Sequence, residues 1–441
     1  MIDNVTRVSA LYDSHVHWLM TGEKQSYFDL QSYSSLSDIS ADQFKKKNFR
    51  GDWLFGFGWD DSQLTQNSQL VEMARLSTSF PICFIKKDAH SCLLNQVALD
   101  RVLSAIEADP VLHAFVERDQ AHRPTGILKE SAFYAIYPQL PPLTSLEIET
   151  CLLQAQSYFL ERGFTHIRDM TCSIAQWQVL KKMEKNNQLR IFSDINFNVD
   201  NFSQAHASVL PFVMNERTAD FTHLKISGLK IFVDGSLGSR SALLMDNYVG
   251  TENHGDLLWD EDSIYQVMRL CWENNLEISV HALGDRAVDK VVDIARTLYS
   301  EKIRGYLNLE HVQLVHPDTI GKMKSLFVRC HMQPSHWLND KKFLKNRLSP
   351  DSMKHLFSWE ALRRAKVPIS FGSDAPIEES DIHLTYSALI DSEKHGVDKF
   401  QGSFLEFYRH PLPTDLGKQA ITVLKEYRPI KVELPPIHIE S

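Results

Sequence analysis

The chain has 441 residues, a length that fits two or three average domains or one elaborated α/β barrel. Hydrophobic residues make up 43% of it and charged residues 23%, which is the composition of a folded globular protein and not of a disordered one. The formal net charge of −9 argues against nucleic acid or an anionic membrane as a partner. We therefore expect a small-molecule substrate.

The N-terminal residues show no basic segment followed by an apolar core, and no window approaches the ~18 apolar residues of a membrane span. The six cysteines are widely spaced and include no C-x-x-C pair. A chain of this size does not need disulfide bonds for its stability. These features predict a cytoplasmic protein with reduced cysteines.

Short apolar, β-branched runs alternate with amphipathic stretches from about residue 163 onward, which is typical of βαβ units and a parallel sheet. One earlier run precedes residue 15 and brings the number of predicted strands to eight, at which a parallel sheet closes into a (β/α)8 TIM barrel. The predicted strands are 8–15, 163–170, 189–197, 228–235, 276–284, 306–313, 327–334 and 367–374.

Residues 18–145 are too many for one connection between a strand and a helix, and they contain strand-like runs at 53–59 and 81–87. We expect them to form an α/β insertion near the barrel mouth. The predicted organisation is thus one barrel over residues 1–390, which includes the insertion, and a C-terminal tail over 391–441.

The strongest local signal is the pair His15 and His17 in DSHVHW. Alternate residues of a strand point to the same face, so two imidazoles two residues apart can chelate one ion. Taken alone, such a pair is as often a surface or core feature as a metal site. Its weight depends on what the other strands place beside it.

Further titratable side chains fall near the C-terminal ends of the other predicted strands, where barrel enzymes have their active sites. They are Lys230, His281, His311, His336 and Asp374. Any one of them alone could be a structural residue, such as a hydrogen-bonded core histidine, but their shared position favours one site. Neutral imidazoles with a carboxylate suit zinc better than magnesium or calcium, which prefer oxygen ligands.

With these residues at the strand ends, the chain resembles the amidohydrolase superfamily, specifically the YtcJ-like branch that includes N-substituted formamide deformylases. No single matching segment is specific, but together they span nearly the whole chain in the expected order. The segments are DSHVHW, DAHSCLLN, TGILKESA, GFTHIRDM, GLKIFVDGSLGSRSALL, ISVHALGDRAVD, LEHVQ, MQPSHW and FGSDAPIEESD.

The resemblance implies a centre of one or two divalent metal ions, with zinc as the expected metal. His15 and His17 would bind the more buried ion, and His281 and His311 the more exposed one. Asp374 would contact the more buried ion. These assignments come from the family pattern and not from spacing.

Lys230 matches the bridging lysine of the family, which is carboxylated by carbon dioxide. Electrostatics agrees with this assignment, because metal cations would repel an ordinary ammonium, whereas a carbamate contributes a charge of −1. The alternative is that Lys230 is an ion-pair partner of Asp234 or Asp169 in the barrel interior.

The implied activity is hydrolysis of a non-peptide C–N bond, with an N-acyl or N-formyl amine as the representative substrate. A divalent metal lowers the pKa of water toward ~7 and makes hydroxide available, and Asp374 would act as general acid and base. His90 and His336 match family positions that face the substrate and could stabilise an oxyanion. The same site could serve a lactonase, an esterase or a deaminase, and a metal-binding protein without turnover is the alternative outside catalysis.

Two weaker signals have a functional and a structural interpretation. Ser239 and Arg240 follow a Gly-rich turn, which could approach a ligand closely or only pack the loop. Trp18, Trp59 and Trp337 could line an apolar pocket, although core packing is the more frequent role of a tryptophan.

Members of the family usually carry several dozen residues before the H-x-H pair and a longer tail, and the two ends pair into a small β-sandwich. Here 12 residues precede Asp13 and 67 follow Asp374, and the tail shows no Gly-rich, β-alternating segment. We expect the sandwich to be absent or vestigial, with 391–441 as its remnant. The barrel surface left exposed would then suit a homodimer.

Overall fold

The computed structural model describes residues 5–59, 69–86, 91–113, 115–129, 132–133, 135–136, 139–397, 399–401 and 403–436. The chain divides into two compact units. The first comprises Met1–Thr21 and Leu152–Ser441, and the second comprises Gly22–Cys151. Over the described ranges, we find no helix that combines the length and the apolar character needed to cross a bilayer.

A parallel sheet of eight strands forms the centre of the first unit. Its strands lie side by side in the order in which they follow one another along the chain. The strands are β1 (Tyr12–Val16), β2 (His166–Cys172), β3 (Phe192–Asn198), β4 (Leu224–Phe232), β5 (Glu277–Ala282), β6 (Leu307–His311), β7 (Val328–Met332) and β8 (Ile369–Phe371). The sheet closes where the His17 N–H donates to the Ala375 carbonyl (2.7 Å) and the Asp374 N–H donates to the His15 carbonyl (2.8 Å). The predicted (β/α)8 barrel is confirmed.

Helices connect successive strands, as the alternating pattern predicts. The helix Asp285–Ser300 illustrates this pattern. Its buried residues Val288, Val291, Ala295 and Leu298 lie three or four positions apart, so they share one face of the helix. In chain order, the longer helices that precede or follow the barrel strands are Trp18–Ser26, Ser145–Glu161, Ile174–Lys185, Leu210–Glu216, Glu261–Glu273, Asp285–Ser300, Pro317–Met323, Trp359–Arg364 and Ile382–Lys394.

Alternation along the strands separates an apolar face from a polar face. In β5, Ile278 and Val280 are fully buried apolar residues, while Ser279 and His281 lie between and after them on the other face. The Ser279 hydroxyl donates to Asn196 Oδ1 (3.0 Å) on β3, which places this polar face inside the barrel. The barrel interior is therefore where the chemically active side chains gather.

The predicted strand at 8–15 is divided in the structure. Ala10 adopts a φ of 52°, and the residues before it, Val5–Ser9, pair antiparallel with the strand Ile421–Lys425 instead of continuing the barrel. Ile421–Lys425 pairs in turn with Arg428–Glu433. The two ends of the chain thus form a three-stranded antiparallel sheet where an absent or vestigial sandwich is expected.

The tail supplies two paired strands that the sequence analysis did not predict. Its hairpin turns at Glu426 and Tyr427, which adopt φ values of 51° and 64°. Hairpin turns of this kind usually contain glycine or asparagine, because those residues tolerate a positive φ. The usual hairpin signature is therefore missing from the sequence.

The second unit is a mixed sheet with helices packed on both faces, which confirms the α/β character expected of the insertion. Phe55 and Cys83 belong to one core with the helix Gln96–Glu107, whereas Leu54 and Phe84 belong to another with the helix Gln69–Leu76. The strands are Phe28–Asp29, Phe49–Arg50, Trp53–Trp59, Ile82–Lys86, Ser91–Leu94, Val116–Arg118 and Pro124–Lys129, and a short helix covers Pro110–His113.

Candidate metal centre

Three histidines from three strands are in ring contact inside the barrel. The His311 ring lies 4.7 Å from the His15 ring and 4.5 Å from the His281 ring, measured between centroids. His17 lies 5.5 Å from His15. The C-terminal ends of β1, β5 and β6 therefore bring together the four histidines that the sequence singled out as ligands.

The Asp374 carboxylate lies between these imidazoles. Its Oδ1 is 2.9 Å from His17 Nε2 and 3.3 Å from His15 Nε2, although the second contact lacks hydrogen-bond geometry. Its Oδ2 is 3.6 Å from His336 Nε2. Asp374 reaches this place because it follows β8 with a φ of 61°, in the left-handed region.

Two triads in the described part of the chain have ligand atoms within 4.8 Å of one another, and both contain Asp374. One is His15, His17 and Asp374, and the other is His311, His336 and Asp374. His281 is in neither triad, and its Nε2 faces the Gly235 carbonyl at 3.4 Å. The structure thus groups His336, and not His281, with His311 and Asp374.

Hydrogen bonds to Nδ1 orient three of the histidines. His15 Nδ1 lies 2.7 Å from Glu310 Oε2, and His17 Nδ1 lies 2.9 Å from Thr171 Oγ1. His311 Nδ1 lies 2.8 Å from Gln333 Oε1. In each case Nε2 is left for the centre, which is how metal-binding histidines are commonly held.

His281, His311 and Asp374 have the charge states that metal ligation needs. Burial, with the nearby Lys230, lowers the pKa of His281 to about 3, and burial also holds the pKa of His311 well below its usual range. Both are therefore neutral at pH 7. Burial opposes ionisation of Asp374, but His15 and His17 outweigh it and hold the pKa of this carboxyl well below its usual range.

Lys230 lies on β4 and is completely buried. Its Nζ has no hydrogen-bond partner among the residues that the structure describes, and it sits 4.3 Å from the centre of the Phe232 ring. Burial lowers the pKa of Lys230 to about 8, and the charges of Glu310 and Asp374 only partly oppose this effect. An appreciable fraction of the amine is therefore neutral near physiological pH.

The alternative in which Lys230 pairs with Asp234 or Asp169 is not found. Asp234 accepts hydrogen bonds from three backbone N–H groups, those of Leu243, Leu283 and Gly284. Asp169 accepts from the Trp18 N–H and from Gln176 Nε2. Both carboxylates are thus satisfied without the lysine.

The remaining candidates divide between the centre and packing. His336 Nε2 is buried and finds no hydrogen-bond partner within the described ranges, and its ring lies 6.0 Å from that of His311. His90 lies outside the described residues. Trp18, Trp59 and Trp337 are at most 2% exposed and donate their indole N–H to Leu152, Phe84 and Asp391, so they serve packing.

Several supporting residues escaped the sequence analysis. Arg168 Nη1 donates to Glu310 Oε1 (2.8 Å), so the carboxylate that orients His15 is itself paired in the barrel interior. Asp13 accepts from the Ser373 N–H (2.9 Å) and from the Ser380 hydroxyl (2.8 Å), which ties the start of the chain to the segment after β8. Asp13 stands directly before the H-x-H pair, but nothing in its spacing indicates these partners.

The model of the amidohydrolase family matches residues 8–403 of the chain. YtcJ, an amidohydrolase-family protein of Bacillus subtilis (strain 168), is 28% identical over 406 residues, which cover 87% of this chain and 73% of the relative. The protein LONG AFTER FAR-RED 3 of Arabidopsis thaliana is 26% identical over 406 residues, which cover 86% of this chain and 67% of the relative.

Solved structures share the fold. An uncharacterized metal-dependent hydrolase of Pyrococcus horikoshii OT3 superposes with a TM-score of 0.70 at 24% identity, over 89% of this chain and 76% of the other. One from Pyrococcus furiosus superposes with a TM-score of 0.68 at 24% identity, over 87% and 76%. The barrel, the match over most of the sequence and the likeness to YtcJ together show that the chain belongs to the amidohydrolase family, in its YtcJ-like branch.

Proposed function

We propose that this protein is a metal-dependent hydrolase that cleaves a non-peptide C–N bond, such as that of an N-acyl or N-formyl amine. The main support is a group of four buried nitrogen atoms that have no hydrogen-bond partner in the described part of the chain, namely His15 Nε2, Lys230 Nζ, His281 Nδ1 and His336 Nε2. One unsatisfied buried polar atom costs about 1–3 kcal/mol. Four of them at one end of a barrel are accounted for if they bind metal ions and a substrate.

The donor set fits one or two divalent ions. His15, His17 and Asp374 would hold one, and His311 would hold the second with His281 or His336. Imidazole nitrogens with one carboxylate favour zinc among the common divalent ions. Lys230, as a carbamate, would add the negative charge that two such ions need between them.

A bound divalent ion supplies Lewis acidity, which lowers the pKa of water toward ~7 and polarises a carbonyl. Asp374 is ionised at neutral pH, as a proton acceptor has to be. We assign to Asp374 the removal of a proton from the attacking water and its delivery to the leaving nitrogen. His336 Nε2 lies 3.6 Å from Asp374 Oδ2 and is free to stabilise negative charge on the carbonyl oxygen.

Metal analysis of the purified protein, coupled to a substrate screen, tests this proposal. The screen contains formamides, other N-acyl amines, lactones and esters, each assayed before and after zinc is added to chelator-treated protein. We expect about one or two zinc ions per chain and zinc-dependent cleavage of amides. His17→Asn should lose metal and activity, whereas His206→Gln, which changes an exposed histidine, should keep both.

Two results would contradict the proposal in different ways. Zinc-dependent hydrolysis of esters with none of any amide would refute the C–N assignment but keep the metal site. A protein that binds no divalent ion with His17 intact would refute the metal centre itself.

A further inference from the structure

Two arginine side chains on segments that follow barrel strands have no partner among the described residues. Arg240 lies in the turn after β4, and Arg347 lies in the segment between β7 and β8. Both are half-buried, their Nε atoms are shielded from solvent, and neither guanidinium makes a hydrogen bond or an ion pair with any residue that the structure describes. Charged groups taken out of water are usually paired, because their lost hydration is otherwise uncompensated.

One loop holds the backbones of both arginines. Asn253 Nδ2 donates to the Arg240 carbonyl (2.8 Å), and the Val249 N–H donates to the Arg347 carbonyl (2.9 Å). Burial and the charge of Arg240 both lower the pKa of Arg347, and no carboxylate contributes in the opposite direction. The same loop therefore anchors two cationic side chains, and neither has a counter-charge among the described residues.

Short backbone contacts connect Arg240 to the metal centre. The Gly235 carbonyl faces His281 Nε2 at 3.4 Å, and the Gly235 N–H donates to the Ser241 carbonyl at 3.2 Å. Arg240 is the residue before Ser241, and its φ of 61° is unusual for a residue with a side chain. Such a conformation persists where the surrounding structure requires it, often at a ligand site.

We propose that Arg240 and Arg347 form a subsite for a carboxylate of the substrate, so that the amide cleaved at the metal centre belongs to an anionic molecule such as an N-formyl or N-acyl amino acid. This inference rests on the proposed function. A guanidinium presents paired N–H donors that match a carboxylate in a bidentate manner. A bound carboxylate removes the repulsion between the two arginines and pairs the donors that the protein leaves free.

Matched substrates test the subsite by turnover. Each N-formyl amino acid is compared with its neutral amide, using wild type, Arg240→Gln, Arg347→Gln and the exposed control Arg296→Gln. We expect wild type and the control to prefer the acids. Arg240→Gln and Arg347→Gln should each raise the KM for the acids by about 10–100-fold, the usual loss for hydrogen bonds to a charged group. The KM for the neutral amides should not change. Equal use of acids and amides by the wild type, with no effect of either variant, overturns the proposal.

Ligand-induced thermal stabilisation of the zinc-loaded protein tests the subsite without turnover. N-Acetylglycine and inorganic phosphate should raise the melting temperature of wild type and Arg296→Gln, but not that of Arg240→Gln or Arg347→Gln. If no amide is cleaved while N-acetylglycine still stabilises through these arginines, the proposed function fails and the subsite stands. If phosphate alone stabilises through them, the site binds a free anion and the substrate assignment is refuted. Equal stabilisation of all four proteins refutes the subsite.

Discussion

Replacing Lys230 with methionine separates the structural cost of this residue from its function. Methionine keeps the unbranched apolar stem but removes the buried amine, for which the described residues offer no hydrogen-bond partner. Burial lowers the pKa of Lys230 from 10.5 to about 8, which corresponds to roughly 3 kcal/mol against the charged form. We expect metal-free Lys230→Met to be more stable than metal-free wild type by about this amount at pH 7, and to have lost metal binding and hydrolysis.

The stability difference has a defined dependence on pH. The pKa of Lys230 is lower in the folded than in the unfolded chain, so below about pH 8 the folded wild type has to bury an ammonium and carries the full cost. Between the folded value of about 8 and the unfolded value of 10.5, the folded amine releases its proton first and the wild type regains stability. The advantage of methionine should shrink across this interval and disappear above it.

Denaturant unfolding of the two metal-stripped proteins, followed by tryptophan fluorescence at several pH values, measures this difference. The control is Lys185→Met, because Lys185 is exposed at the end of the helix Ile174–Lys185. The control should differ little from wild type at any pH. If Lys230→Met is no more stable than wild type at pH 7, Lys230 is not an unpaired buried ammonium, and the argument that makes its amine available for carboxylation is refuted.

Three further substitutions test the centre. Asp374→Asn keeps the shape of the side chain but cannot take a proton, so kcat should fall at least about 100-fold with substrate still bound; near-normal turnover would mean that another residue moves the proton. Lys230→Ala should lose metal and activity, and it should recover part of both when a short carboxylic acid is added. If this variant kept its full metal content and the wild-type rate, the two-ion assignment would be refuted. Glu310→Gln should weaken zinc binding about 10–100-fold in chelator competition, because His15 loses its charged acceptor. Glu277→Gln is its control, and equal zinc affinity of the two variants would show that Glu310 does not tune the site.

Strand alternation and the shared position of titratable residues made much of the fold and site predictable. In β5, the sequence itself shows Ile278 and Val280 alternating with Ser279 and His281, so the direction of the histidine follows from the pattern. The same reasoning placed His15 and His17 on one face of the first strand. The helix-forming pattern between strands then left a parallel barrel as the simplest architecture.

The contacts that orient the ligands were not predictable in this way. Glu310 and His311 are neighbours on β6, and alternation would point them in opposite directions, yet both contact His15. His311 and Val312 adopt φ values of 71° and 46°, which end the alternation at this position. Such departures from regular geometry have no signature in residue type, since neither residue is glycine.

Closure of the barrel between β8 and β1 has a consequence for how the chain responds to loss of its ion. The hydrogen bonds that close the barrel involve His15, His17, Asp374 and Ala375, and the first three of these residues form the first group of candidate ligands. His17 and Asp374 are 357 positions apart in the chain. An ion held by both would act as a non-covalent cross-link between the first and last strands, comparable in chain topology to a disulfide that encloses most of the protein. Removing the ion with a chelator would then release this restraint on barrel closure. Amide hydrogens at the ends of β1 and β8 would exchange with solvent before those of the strands on the opposite side of the barrel.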